Sequence, residues 1–173
     1  MQSTVMARAI TQQPAEIDPR SGKYLIFRLG NEEFGAGILH VREIMRMQEV
    51  TAVPQTPAYV KGVINLRGKV IPVMDLRSKF GMSAEEYTER TCIIVVRAHS
   101  AGVELPVGLV VDGVVEVLTL SAAEIEDAPD FGRGEAFAYL LGMAKVKGKV
   151  KILLDIEQVL SSGAMQGLES LLQ

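Results

Sequence analysis

An internal repeat constrains this chain more than any other feature. Setting YVKGVINLRGKVIPVMDLRSKF, from Tyr59, over YLLGMAKVKGKVKILLDIEQVL, from Tyr139, gives a constant offset of 80 residues with no gap. Tyr59/Tyr139, Gly62/Gly142, Gly68/Gly148, Lys69/Lys149, Val70/Val150 and Asp75/Asp155 are identical, and Arg67 falls on Lys147. A weaker echo sets Gly35, Val41, Glu43 and Ile44 over Gly108, Val114, Glu116 and Val117. A chain that repeats in this way builds the same unit twice: a meander of about five short strands, finished by a hairpin and a helical turn. Short twisted strands in that number close into a small barrel, because closure removes exposed edges. The expected fold is therefore mainly β, two pseudo-repeated five-stranded SH3-like barrels with short helices, leaving a groove between them.

The hairpin of the first unit is the most legible element. Tyr59 to Leu66 and Lys69 to Leu76 are rich in β-branched residues, and Gly68 supplies the positive φ that a two-residue turn requires. Pro72 has no N–H to give to a ladder, which places it at a sheet edge or a bulge. Leu76 and Phe80 form an i, i+4 pair with Gly81 as a stop, and Asp75 is expected to cap the turn. Arg67 then stands at the tip of a rigid hairpin.

The rest of the chain sets the boundaries. Residues 1–22 are polar, carry Pro14 and Pro19, and read as a mobile lead-in. From Lys23 the strand pattern begins, with a polar turn at Asn31, Glu32 and Glu33. The two units divide at roughly 23–90 and 91–160. Within the second, AHSAGVEL (98–105) reads as a loop, and an acidic stretch from Ala122 to Asp130 precedes a further loop, FGRGEAF. The tail, 161–173, carries Leu168, Leu171 and Leu172 at helical spacing. No receiver domain follows Gln173 and no kinase domain precedes Lys23, so a fused multidomain arrangement is not expected.

Composition narrows the function. The 18 basic and 21 acidic residues are well mixed and leave a net charge of −3, so no nucleic acid is expected as partner. One cysteine, Cys92, sits in the apolar run TCIIVV and permits no disulfide framework, which suits a reducing cytoplasm. No apolar run approaches the roughly 20 residues that cross a bilayer, so direct membrane insertion is not expected. His40 and His99 lie in no metal-ligand spacing, Met45, Met47 and Met74 read as core, and neither a phosphate loop nor a nucleophile elbow occurs. Gly132, Arg133 and Gly134 lack the strand and third glycine of a phosphate cradle. No catalytic residue, metal or cofactor is expected. The chain reads as a binding protein. One polar constellation remains: Glu43, after the second strand, and Arg67 at the hairpin tip are expected to meet and couple through paired charge-assisted hydrogen bonds. Lys147 cannot form such a fork, so only the first unit should carry it.

At these residues a family resemblance becomes plain. TPAYVKGVINLRGKVIPVMDLRSKFG, preceded by GNEEFGAGILHVREI and followed by VGLVVDGVVEVLTL, resembles the CheW-type chemotaxis coupling proteins over about residues 23–160. The resemblance implies two intertwined five-stranded barrels and an adaptor without catalysis. It implies a cytoplasmic protein, monomeric alone, that bridges the chemoreceptor tip to the regulatory domain of the histidine kinase CheA in arrays at the inner membrane. Carried over by position, Leu25, Ile38, Val41 and Gly62 resemble the kinase-binding face. Glu43, Arg67, Val114 and Val117 resemble the receptor-binding site, whose apolar groove suits an amphipathic helix. The nearest alternative is a coupling module of a non-chemotactic chemosensory kinase pathway.

Overall fold

A computed structural model describes residues 18–100, 102–129 and 138–161. The loop containing Gly132 to Gly134 and the tail with Leu168, Leu171 and Leu172 lie outside the described residues, as does most of the lead-in. The chain folds into two sheets. Along the sequence run β1 (Gly22–Leu29), β2 (Glu32–Gly37), a 3-10 turn (Ile38–His40), β3 (Val41–Arg46), β4 (Val60–Leu66), β5 (Lys69–Asp75) and a helical turn (Leu76–Lys79). Then come β6 (Cys92–Ser100), β7 (Val103–Val111), β8 (Gly113–Leu120), a 3-10 turn (Ala122–Glu124), β9 (Ile125–Glu126), β10 (Leu140–Val146), β11 (Lys149–Leu154) and a second helical turn (Ile156–Leu160). One sheet has the order β8-β1-β2-β11-β10-β9, the other β3-β6-β7-β5-β4.

The repeat is a structural one. Both hairpins turn on a residue pair with positive φ, Arg67 and Gly68 at 51° and 85°, Lys147 and Gly148 at 54° and 77°. That is the backbone a tight hairpin matched to strand twist demands. Both hairpins bulge at the repeated glycine, between Val60 and Gly62 and between Leu140 and Gly142. A Cβ on Gly62 would run into the Thr51 carbonyl, and one on Gly142 would lie 2.9 Å from the Glu126 carbonyl oxygen. Asp75 caps its helical turn by accepting from the Arg77 and Ser78 amides, and Asp155 accepts from Gln158.

Sequence order and spatial order part company at the sheets. β5 pairs in parallel with β7, and β11 pairs in parallel with β2, so each hairpin completes the sheet of the other half. The weak echo marks the same contacts: Gly35 faces Leu153 and Gly108 faces Val73, both positions where a larger residue would crowd the neighbouring strand. The division near residue 90 is therefore a boundary of the repeat, while each sheet draws strands from both sides of it.

Burial follows from this exchange. The largest core lies between the sheets and takes Leu25, Phe27 and Leu29 from β1 together with Cys92, Ile94 and Val96 from β6. The alternate residues of the same strands face smaller cores, Tyr24 and Ile26 inside one sheet, Ile93 and Val95 inside the other. Strands covered on both faces read as continuous apolar runs such as CIIVV. A chain of rings, Phe27–Phe34–Phe80–Tyr139, with centroids 5.8 to 6.0 Å apart, ties the end of the first helical turn to the six-stranded sheet.

Several local expectations are corrected. Pro72 lies on β5, an inner strand, where the register with β7 begins only at Val73, so its missing N–H falls before the parallel ladder starts. The stretch 98–105 is mostly strand: His99 pairs with Glu104 and Ser100 with Val103, which extends the β6–β7 ladder. The end of the lead-in is fastened down, since Arg20 bonds Asp18, the Asp127 carboxylate at 2.8 Å and the Leu141 carbonyl at 3.3 Å. Glu33, read as part of a polar turn, lies in β2 and is buried against Lys151 across the parallel β2–β11 register.

That buried pair generates a prediction. The Lys151 ammonium holds the Glu33 carboxyl below its ordinary range, against the opposing effect of burial. A depressed folded-state pKa stabilises the fold above the unfolded carboxylate value of about 4.3 and stops doing so as pH falls through the folded value. Lys151→Met is expected to lose about 3 kcal/mol at pH 7, with Glu33→Leu in the same chain recovering most of it. Urea melts of both variants at pH 7 check this, and the single variant's deficit should shrink on acidification as Glu33 takes a proton.

Candidate functional site

Alternation along β3 sorts its side chains onto two faces. Val41, Glu43 and Met45 are half-buried, while Arg42, Ile44 and Arg46 are exposed. Glu43 therefore looks inward, and Arg67 reaches it from the hairpin tip. Both terminal nitrogens of the guanidinium donate to both carboxylate oxygens at 3.0 to 3.3 Å. The turn is braced by the Gly68 amide on the Asn65 side chain at 2.8 Å. β3 and β4 are opposite edges of the five-stranded sheet, so this fork ties one edge to the hairpin at the other; beyond the end of β3, Thr51 bridges Val63 of β4. Lys147, the counterpart of Arg67, has no ion pair among the described residues.

The fork is worth little as an energy. Arg67 is 69% exposed against 25% for Glu43, and solvent screens such a pair to below about 1 kcal/mol. Its value is positional: it fixes where the hairpin tip stands relative to β3.

On the outer face of β3 lies a groove of about 550 Å³. Its apolar surface comes from Ile44 of β3 and Val114 and Val115 of β8, all exposed. β3 and β8 are counterparts in the repeat, each the outer strand of its own sheet. A bulge opposite Ile26 and Phe27 turns both Val114 and Val115 toward solvent. Below them Cys92 is buried, and burial pushes its thiol up, which leaves it unreactive. Burial also works to raise the Asp112 carboxyl, but hydrogen bonds from Arg77 and the Gly30 amide hold it below the usual range.

The residues assigned to a receptor site thus occupy different places. Val114 lines the groove, and Val117 is exposed further along β8. Glu43 and Arg67 stand on the other face of β3. Of the kinase-binding set, Ile38 and Val41 pack together over the large core, where Leu25 is only 1% exposed beneath them. Gly62 is buried at its bulge in β4, in the other sheet from Leu25. Leu25 and Gly62 can therefore act on a partner only by shaping the backbone around them. Sequence reasoning passed over Leu39, 86% exposed in the 3-10 turn and fixed there by Arg97, which donates to the Leu39 and Val41 carbonyls at 2.9 and 3.1 Å. The signal was present in GAGILHV, where strict alternation fails.

Apolar knobs and a groove on a rigid two-sheet frame define a protein-binding module; among the described residues no cluster of side chains could hold a metal ion. The family follows from comparison. The CheW-like domain model matches residues 23–164, and the chain belongs to that family. It is 45% identical over 143 residues to chemotaxis protein CheW of Klebsiella aerogenes, covering 83% of this chain and 84% of that one. The crystal structure of the scaffolding protein TtCheW from Thermoanaerobacter tengcongensis superposes with a TM-score of 0.73 at 32% identity, covering 83% of this chain and 95% of that one. Protein FrzA of Myxococcus xanthus is also similar, 28% identical over 142 residues, covering 81% of this chain and 86% of that one.

The fork can be measured directly. A double-mutant cycle of Arg67→Ala and Glu43→Gln by chemical denaturation should return a coupling of about 0.2 to 1 kcal/mol, falling with added salt.

Proposed function

We propose that the chain is a chemotaxis adaptor that couples the cytoplasmic tip of chemoreceptors to the regulatory domain of the histidine kinase CheA, by binding alone. The observation that carries this reading is the exposed apolar groove between the counterpart strands β3 and β8, in a member of the CheW-like family. A groove floored by Ile44 and Val114 receives the apolar stripe of a receptor helix. Val117 extends the apolar surface along β8, and the Glu43–Arg67 fork holds the neighbouring hairpin in register. The kinase docks on the separate surface of Ile38, Leu39 and Val41, with Leu25 supporting it from within and Gly62 setting the path of β4. Two surfaces on different parts of the fold let one monomer hold both partners at once, as an array requires. As a partner of the cytoplasmic receptor tip and of a kinase, such an adaptor works in the cytoplasm and reaches the inner membrane through its receptor; no described helix is long and apolar enough to cross a membrane. The similarity to FrzA favours one alternative, the same coupling role in a chemosensory kinase pathway other than chemotaxis.

Mixing the protein with receptor-tip and kinase regulatory-domain fragments should give a ternary complex at micromolar concentrations by size-exclusion chromatography. Arg67→Glu is expected to lose the receptor fragment while shifting the unfolding midpoint little, and Leu39→Asp to lose only the kinase fragment. Failure of both fragments to bind, alone or together, would sink the coupling role.

A further inference from the structure

Three arginines surround the apolar floor of the groove, and each comes from a different element: Arg28 from β1, Arg46 from β3 and Arg90 from the turn before β6. All three are exposed, and none has a side-chain hydrogen bond or ion pair among the described residues. Of the other described arginines, Arg20, Arg67, Arg77 and Arg97 are each engaged by a carboxylate, and Arg42, on the same exposed face of β3 as Arg46, is unpaired as well. Two acidic residues also line the groove. Asp112 is neutralised by Arg77 at 2.6 Å and by the Gly30 amide, which leaves Glu89 as the other acid of the groove against three guanidiniums that make no ion pair, although Arg28 also faces Glu33 across the β1–β2 register. A chain of net charge −3 has thus gathered a positive rim around its groove.

We propose that this groove selects an acidic amphipathic helix, its apolar stripe on Ile44, Val114 and Val115 and its flanking carboxylates on Arg28, Arg46 and Arg90. The inference rests on the groove being the receptor-tip site and adds the chemistry of the helix it takes. Guanidinium groups pair with carboxylates through two parallel hydrogen bonds, which fixes direction as well as charge. A helix with apolar residues at i, i+3 and i+4 carries carboxylates on either side of that stripe at the spacing a rimmed groove needs. Rim charges of this kind set partner choice and salt dependence more than total affinity.

The test uses designed, fluorescently labelled amphipathic helices of about 20 residues that share one leucine stripe and differ only in having Glu, Gln or Lys beside it. Anisotropy titrations at low salt should give at least about tenfold tighter binding of the Glu peptide than of the Lys peptide, and the gap should narrow as salt rises. Arg28→Glu/Arg46→Glu/Arg90→Glu should reverse the order, and Ile44→Asp should weaken every peptide. Should the triple reversal unfold the chain, Arg46→Gln alone is expected to narrow the Glu-over-Lys preference. Equal binding of Glu and Lys peptides would overturn the proposal, as would tighter binding of anionic phospholipid vesicles or an RNA oligonucleotide than of the Glu peptide. A receptor-tip fragment is titrated in parallel. If it needs Ile44 but ignores the arginines, the charge reading fails and the receptor site stands; if it does not bind while the peptides rank by charge, the receptor site fails and the charge reading stands.

Discussion

Two parallel strand pairings hold the architecture, β5 beside β7 and β11 beside β2. Each joins strands from different halves of the chain, so neither half can complete its sheet alone. A parallel pair needs a long connection, and here the exchange of hairpins supplies it. The consequence reaches the core. Because β1 and β6 sit inside these exchanged sheets, they are covered on both faces, and the apolar volume between the sheets becomes common to both. The two sheets are joined through that common core.

The polar groups divide by burial. Glu33 and Lys151 sit on the β2–β11 exchange itself, where an unpaired charge would be costly, so the pair commits the register at one of the two crossings. Arg77 and Asp112 pin the first helical turn to the end of β7, and the Asp112 carboxylate also takes the Gly30 amide. Arg67 and Glu43 use the same guanidinium–carboxylate chemistry on the surface, where water screens it. There it contributes shape. The ranking follows burial: the interior pairs hold the frame, the surface fork holds a hairpin tip, and Arg28, Arg46 and Arg90 at the groove carry no ion pair among the described residues.

The symmetry of the repeat explains where the exposed apolar surfaces fall. β3 and β8 are counterparts, both outer strands, and the apolar groove spans them. Their roles have diverged since the forked arginine belongs to one unit only. On the other side, the short 3-10 turn interrupts the β2-to-β3 path and lifts Leu39 clear of the core.

The sequence alone determined the repeat, the positions of the hairpin turns, the cap at Asp75, and the partnership of Glu43 with Arg67. These follow from short-range rules: a positive φ at a turn, a carboxylate at a helix start, a fork that only arginine makes. It also carried enough motif to indicate the family. What the tertiary structure decided is everything that depends on strands distant in sequence. The hairpins exchange sheets, Pro72 lies on an inner strand, and Glu33 is buried by Lys151, 118 residues away. The faces of β3 separate the Glu43–Arg67 fork from the groove, and Leu25 lies under the surface it was expected to form. Local pattern tells which residues alternate; which face meets solvent is set by the neighbour that covers the other one, and that neighbour belongs to the other half of the chain.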